Sequence, residues 1–285
     1  MEVLVLRMVL PVMTILLVTV MQRRFGHRLG GRVAGLPLTS CPLLVILLMT
    51  DGRTAAAQAA AGVVAGQLGV TALCLGYGRL GHRLRSPLAA VGLALGTAAA
   101  ALALVSGIGS TPVAAVLVIV ATAAGLLTWP PVAAQVALPN PARWETPVRV
   151  LVTVSIVVCL TGSDRLLGPH LTGLLAGTPV VMWIFTLTTH RNAGFPAAES
   201  LLRGALCSVL GTLAFALTIA CSLRSWGAPA SFGAAFLALI ATDFVFRRLL
   251  DLGRDTLRFR RFGSGWPILG WVYASVDEVG RVEVQ

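Results

Sequence analysis

From Pro87 to Trp129 the chain carries no charged side chain, only a Gly-Ile-Gly-Ser-Thr-Pro turn between two apolar runs. A helix needs about 20 apolar residues to cross a hydrocarbon layer of about 30 Å, and here two such runs follow in succession. Within hydrocarbon every backbone N–H and C=O must be satisfied internally, which leaves helices or closed barrels. The Ala, Leu and Val content without short alternating segments selects helices. The turn is so short that residues 87–107 and 111–129 must form a tight helical hairpin.

Comparable windows lie near residues 3–21, 33–50, 55–77, 147–163, 171–189, 199–221 and 229–246. The expected fold is therefore an all-α polytopic membrane protein with about nine transmembrane helices. Composition agrees: 56% of the 285 residues are hydrophobic, 12% are charged and the mean hydropathy is +0.87, which a soluble surface does not accommodate. The first 21 residues lack a basic leading region and a small-residue cleavage site, so they read as a retained first helix rather than a signal sequence.

The formal net charge of +11 does not point to nucleic acid, because the arginines fall in short loops between apolar runs. One set of alternate loops holds Arg23, Arg24, Arg28, Arg32, Arg79, Arg83, Arg85, Arg143 and Arg191, and the tail adds more; the opposite loops hold Arg53, Arg165 and Arg224. This asymmetry predicts a multi-pass protein of the bacterial plasma (inner) membrane, with its N-terminus outside and its C-terminus in the cytoplasm. No residue is lysine, which a GC-rich genome explains better than a need for guanidinium. The five cysteines show no CxxC spacing and read as small apolar residues.

Sliding the chain against itself by 142 positions pairs Gly26 with Gly168, Gly31 with Gly173, Gly35 with Gly177, Pro37 with Pro179, Gly52 with Gly194, Gly62 with Gly204 and Pro87 with Pro229. Matched Gly and Pro punctuation at one offset predicts a duplicated unit. Residues 1–135 form the first repeat with five transmembrane helices, and 143–246 the second with four. Residues 247–285 form a basic cytoplasmic tail suited to lying on headgroups; whether 266–276 re-enter the membrane stays open. Five helices in the first unit start the second on the opposite side, so the repeats are expected to be inverted, an architecture of secondary transporters.

The segment AGLPLTS followed by an apolar run and a DG turn, and its second copy LLAGTP followed by TTHRNAG and LLRG, resembles uncharacterised bacterial integral membrane proteins with two GlpM-like halves. More loosely, the arrangement is similar to the drug/metabolite transporter superfamily, whose members pair two five-span halves; this chain lacks a clear tenth span. The resemblance implies transport without naming a substrate.

The candidate binding or gating residues are Gly35, Pro37, Thr39, Ser40, Gly177, Pro179, Trp183 and His190. Proline interrupts a helix and frees carbonyls, which is tolerated where backbone lines a cavity, and Thr39 and Ser40 offer hydroxyls. Close packing through glycines spaced four apart explains the same motif. Glu199 and Asp243 are the carboxylates that could couple an ion, although Glu199 has Arg203 four residues on and Asp243 has Arg247. Four dispersed histidines fit no metal site, no catalytic residue is assigned, and no cofactor is called for. Trp129 reads as an interfacial anchor. The expected function is a small-molecule transporter or permease working by alternating access, its partners the lipid bilayer, an unnamed substrate and, compatibly, a second copy as a homodimer. The competing readings are a non-transporting subunit or scaffold of an envelope or biosynthetic assembly, and an intramembrane enzyme.

Overall fold

The computed structural model describes residues 2–37, 39–84, 86–107, 109–129, 167–178 and 180–261, with isolated positions between 147 and 159. Most of the expected sixth span at 147–163, Pro179 and the tail beyond Arg261 lie outside the described residues. Helix α1 runs Glu2–Ala34, α2 Ser40–Thr50, α3 Gly52–Leu80, α4 Pro87–Ser106, α5 Thr111–Leu127, α6 Pro169–Ala176, α7 Val180–Ser222 and α8 Ala228–Arg261, with a short 3₁₀ turn at Gly81–Arg83. Among the described residues there is no strand. Among the described residues four helices are long and apolar enough to cross a membrane, within Gly52–Arg83, Pro87–Ser106, Met182–Ser222 and Ala228–Phe246; α2 and α5 are shorter apolar helices.

Local sequence sets the helix starts and bends. Proline opens α4, α5 and α6 in the first turn, where its missing N–H leaves nothing unpaired. Gly26 inside α1 has φ 83° and ψ 175°, and Gly194 inside α7 has φ 83° and ψ 176°, so each long helix is two rods joined at a glycine. Gly168 (φ 77°) and Gly52 (φ 84°) precede α6 and open α3 in the same left-handed region. The pairs Gly26/Gly168 and Gly52/Gly194 are 142 positions apart, so the matched glycines of the sequence share one unusual backbone conformation. A Cβ there opposes the conformation itself, since at Gly26 and Gly168 no other atom stands within 4 Å. We expect Gly26→Ala and Gly168→Ala each to cost about 1–2 kcal/mol, read as a lowered midpoint of thermal unfolding in detergent.

The interior is organised by α3 and α7. α3 packs against α2, α4, α5, α6 and α7, and α7 also against α1 and α8. Their shared core includes Val63, Tyr77, Phe185, Leu202, Leu206 and Val209, all buried. The outer helices invert the pattern of a soluble protein. α4 turns Ala90, Ala94 and Ala98 inward and leaves Leu88, Leu93, Leu95 and Leu104 exposed; α5 buries Ala114, Ala115 and Gly125 and exposes Val116, Ile119, Val120 and Leu127. α8 exposes Phe236, Leu237, Ile240 and Phe244. Small residues inside and large apolar residues outside let helix backbones approach while presenting bulk to an apolar surrounding, and an exposed apolar surface this extended is compatible with a membrane location. The helix α8 continues past Phe246 without a break as far as Arg261, carrying the first basic residues of the tail with it.

Candidate functional site

Two interruptions of the helices lie at the candidate residues. After Ala34 the chain passes through Gly35, Leu36, Pro37 and Thr39 before α2 begins at Ser40; after Ala176 it passes through Gly177 and Thr178 before α7 begins at Val180. The last turns close alike. Gly35 N–H donates to Gly31 O at 2.9 Å and Leu36 N–H to Val33 O at 3.1 Å; Gly177 N–H donates to Gly173 O at 2.8 Å and Thr178 N–H to Leu175 O at 3.1 Å. In each case the final bond has tightened to the 3₁₀ pattern. These four bonds also match at the 142-residue offset.

Carbonyls near a helix end have lost their next turn and need other donors. At the first break Ser208 Oγ donates to Arg32 O at 2.8 Å and Thr212 Oγ1 to Gly35 O at 2.7 Å, both reaching across from α7. At the second, Ala176 O accepts from Ser40 Oγ at 3.3 Å and Thr39 Oγ1 at 3.5 Å. Thr39 and Ser40 therefore tie the start of α2 to the end of α6, so the two breaks touch. Pro37 and Ser40 are buried and Thr39 is half-buried. Trp183 is half-buried and packs on the main core.

The glycines flanking the breaks sit where backbone meets backbone. A Cβ at Gly31 would stand 1.9 Å from Leu201 O, and one at Gly173 would stand 1.9 Å from Ala59 O. Gly35 meets Ala205 O at 2.7 Å and Gly177 meets Val63 O at 2.8 Å; Gly204 meets Arg28 O at 2.1 Å and Gly62 meets His170 O at 2.0 Å. Replacing each member of one contact by its match 142 positions away in the other half gives the counterpart contact, the order of halves exchanged. The end of α1 thus runs along α7, and α6 along α3, each pair in the same direction. Glycines four apart thin one face of a helix so that it can seat on its neighbour's backbone.

A third group lies at the end of α3. Tyr77 is buried, with its hydroxyl and His190 Nδ1 2.5 Å apart. The Tyr77 ring stacks on Phe195 at 5.4 Å between centroids, and His190 and His82 meet Phe195 edge-on. Glu199 is buried at 5% exposure, within electrostatic reach of Arg203 and of the Trp129 indole. Trp129 is not an interfacial anchor: it is buried, its ring seated on Gly78, where a Cβ would fall 2.9 Å from Cζ2. Its buried Nε1 makes no full hydrogen bond. Asp243 is half-buried on α8; the Arg247 side chain lies outside the described residues.

Of the sequence candidates, the structure brings Gly35, Thr39, Ser40 and Gly177 together at the breaks, and puts His190 and Glu199 at the end of α3. Sequence reasoning missed Tyr77, Phe195, Ser208 and Thr212. Ser208 had a readable signal: it stands at the position matched to Gly66, where a hydroxyl replaces a glycine. Among the described residues no group of three His, Cys, Asp or Glu side chains converges as a metal site would require. No known family model matches this chain, and neither a curated protein nor a solved structure does.

Proposed function

We propose that this protein is a multi-pass membrane protein whose two inverted repeats move a small molecule across the bilayer by alternating access. The observation that carries the reading is the pair of helix breaks that touch through Thr39, Ser40 and Ala176, surrounded by contacts that recur with the halves exchanged. Two units with equivalent contacts can trade conformations at little net cost, because what one half loses the other gains. Glycine bends at Gly26, Gly168, Gly52 and Gly194 give each half a point about which a rod can tilt without deforming its helix. The sparse charge along the apolar helices suits an uncharged, lipophilic or weakly charged cargo. The large side chains exposed on α4, α5 and α8 would then face lipid tails.

One observation favours the second reading, a non-transporting subunit or scaffold. The carbonyls freed at the breaks are already capped by Ser208, Thr212, Thr39 and Ser40, as they would be if the breaks only let helices touch. The two readings separate without knowledge of the substrate. In a background with the five native cysteines replaced by serine or alanine, we place a single cysteine at Thr39 or Leu36 and measure its reaction with a membrane-impermeant maleimide in right-side-out and inside-out vesicles. Alternating access predicts labelling from both sides, shifting by at least about fivefold in favour of one side when Pro37→Ala alters the break. A scaffold gives labelling from one side or none, unchanged by Pro37→Ala; that result would sink the transport reading.

A further inference from the structure

The matched halves provide an internal control for the polar cluster at the end of α3. Its counterpart positions at the other end are Ile219 for Tyr77, Leu48 for His190, Ala57 for Glu199 and Leu223 for Gly81. Ile219, Ala57 and Leu223 are buried in an apolar cluster against which Leu48 packs. At the positions of Tyr77, His190 and Glu199 the helix framework therefore closes with aliphatic side chains at one end and with a buried carboxylate, a tyrosine and a histidine at the other, while Phe195 and His82 match the exposed Arg53 and Arg224. Packing does not require the polar set. A carboxylate at this depth costs free energy in its charged form unless paired, and such residues on apolar helices mark sites of ion or proton chemistry.

The cluster also straddles a bend. Gly194 carries the left-handed φ that divides α7 into two rods. His190 lies before the bend; Phe195 and Glu199 lie after it. Tyr77 on α3 holds both sides, its hydroxyl against His190 and its ring stacked on Phe195. The cluster therefore spans the joint between the rods.

The groups that face Glu199 come from each element packed there. They are Tyr77 from α3, the Trp129 indole after α5 and Arg203 one turn along α7; His190, before the bend, is joined to the group through the Tyr77 hydroxyl. His82 reaches the cluster only through the Phe195 ring edge and is exposed. From α1, Arg28 brings its carbonyl against Gly204 beside Arg203, with His27 buried next to it. Arg203 is the one cation on the same face of the same rod, one turn from the carboxylate.

The geometry points to Glu199, one turn past Phe195 and beside the Tyr77 that His190 holds at the Gly194 bend, as a proton-binding site of this protein. The carboxylate takes one proton from water at that end of the bundle and returns it there or to the interior, with no other bond made or broken. What the proton does rests on the transport reading: its binding and release drive or gate the exchange of the two halves. That the proton binds at all does not depend on transport.

The test uses the purified full-length protein in lipid vesicles and pH-difference infrared spectroscopy, between about pH 5.5 and about pH 9, where exposed carboxylates stay ionised. A protonated carboxylic C=O band that grows as pH falls, is lost in Glu199→Gln and moves in frequency in Glu199→Asp is the expected result. Tyr77→Phe should keep the band and shift its midpoint. Absence of any titrating band in the unaltered protein, or its persistence in a folded Glu199→Gln, overturns the proton site. Should Glu199→Gln fail to fold, Glu199→Asp decides alone: an unmoved band counts against the site. If two-sided maleimide labelling holds while the band is missing, only the proton site falls. A titrating band without two-sided labelling removes transport and leaves the site.

Discussion

Gly173→Leu should leave no folded, monodisperse protein after detergent extraction, and Gly173→Ala should lower stability by about 3 kcal/mol or more. The added Cβ would lie 1.9 Å from the Ala59 carbonyl oxygen and 2.6 Å from its carbon and Cα. Those are backbone atoms of α3, the most enclosed helix of the bundle, so they cannot swing aside as a side chain would. Relief requires moving α6 away from α3 along its length, which also separates Gly177 from Val63 and Gly62 from His170. Gly31 meets Leu201 at the same 1.9 Å, so Gly31→Ala should match Gly173→Ala in size. Size-exclusion profiles and unfolding midpoints of the two single variants provide the comparison. A Gly31→Ala variant as stable as the parent would mean that α1 does not seat on α7 in this way.

The second large effect is expected from Ser208→Ala combined with Thr212→Val. Both hydroxyls cap carbonyls of the first break, Arg32 O and Gly35 O. Neither substitution adds much volume, so the loss isolates the hydrogen bonds. Leaving a part-buried acceptor without its donor costs about 1 kcal/mol or more each, and because the two caps stand one turn apart on the same break their losses should couple rather than simply add. Hydrogen exchange offers a sharper reading than the midpoint alone. Amides at the end of α1 should lose protection in the double variant, while those of α4 should keep theirs. Equal loss throughout would mean the caps act on the whole bundle rather than on the break.

Much of the architecture could be read from the sequence, for reasons that are local. The charge-free stretch with its central turn gave the expected hairpin, and α4 and α5 start and end within a few residues of it. The Gly and Pro punctuation located both breaks, because proline lacks a donor, while other matched glycines, Gly26, Gly52, Gly168 and Gly194, take the left-handed region at the bends and helix starts. Helix continuity was less legible. The window at 171–189 runs through the end of α6 and the break at Gly177 and Thr178 into α7, because small and apolar residues at a break leave hydropathy high; the gap between 189 and 199 does hold a joint, Gly194, where two rods meet. The site was legible in its glycines and not in its polar partners. Tyr77 and His190 are 113 positions apart, and no periodicity announces that the end of α3 meets the bend of α7. Trp129 looked interfacial because two prolines follow it; only the bare face of Gly78 explains why its ring goes inward.

The crossings of α1 on α7 and of α6 on α3 each join an early segment to a late one. During synthesis α3 emerges with the groove at Gly62 and Gly66 open, and the residues that fill it, His170 to Gly177, leave the ribosome only about a hundred residues later. The groove on α7 at Gly204 fills at once, because its partner on α1 has long been waiting. The nascent chain therefore passes through a long interval in which one half of its interior has no occupant. That interval is when an insertion factor or a chaperone would have a surface to hold, and when a truncated chain ending before Pro169 would be most exposed to degradation.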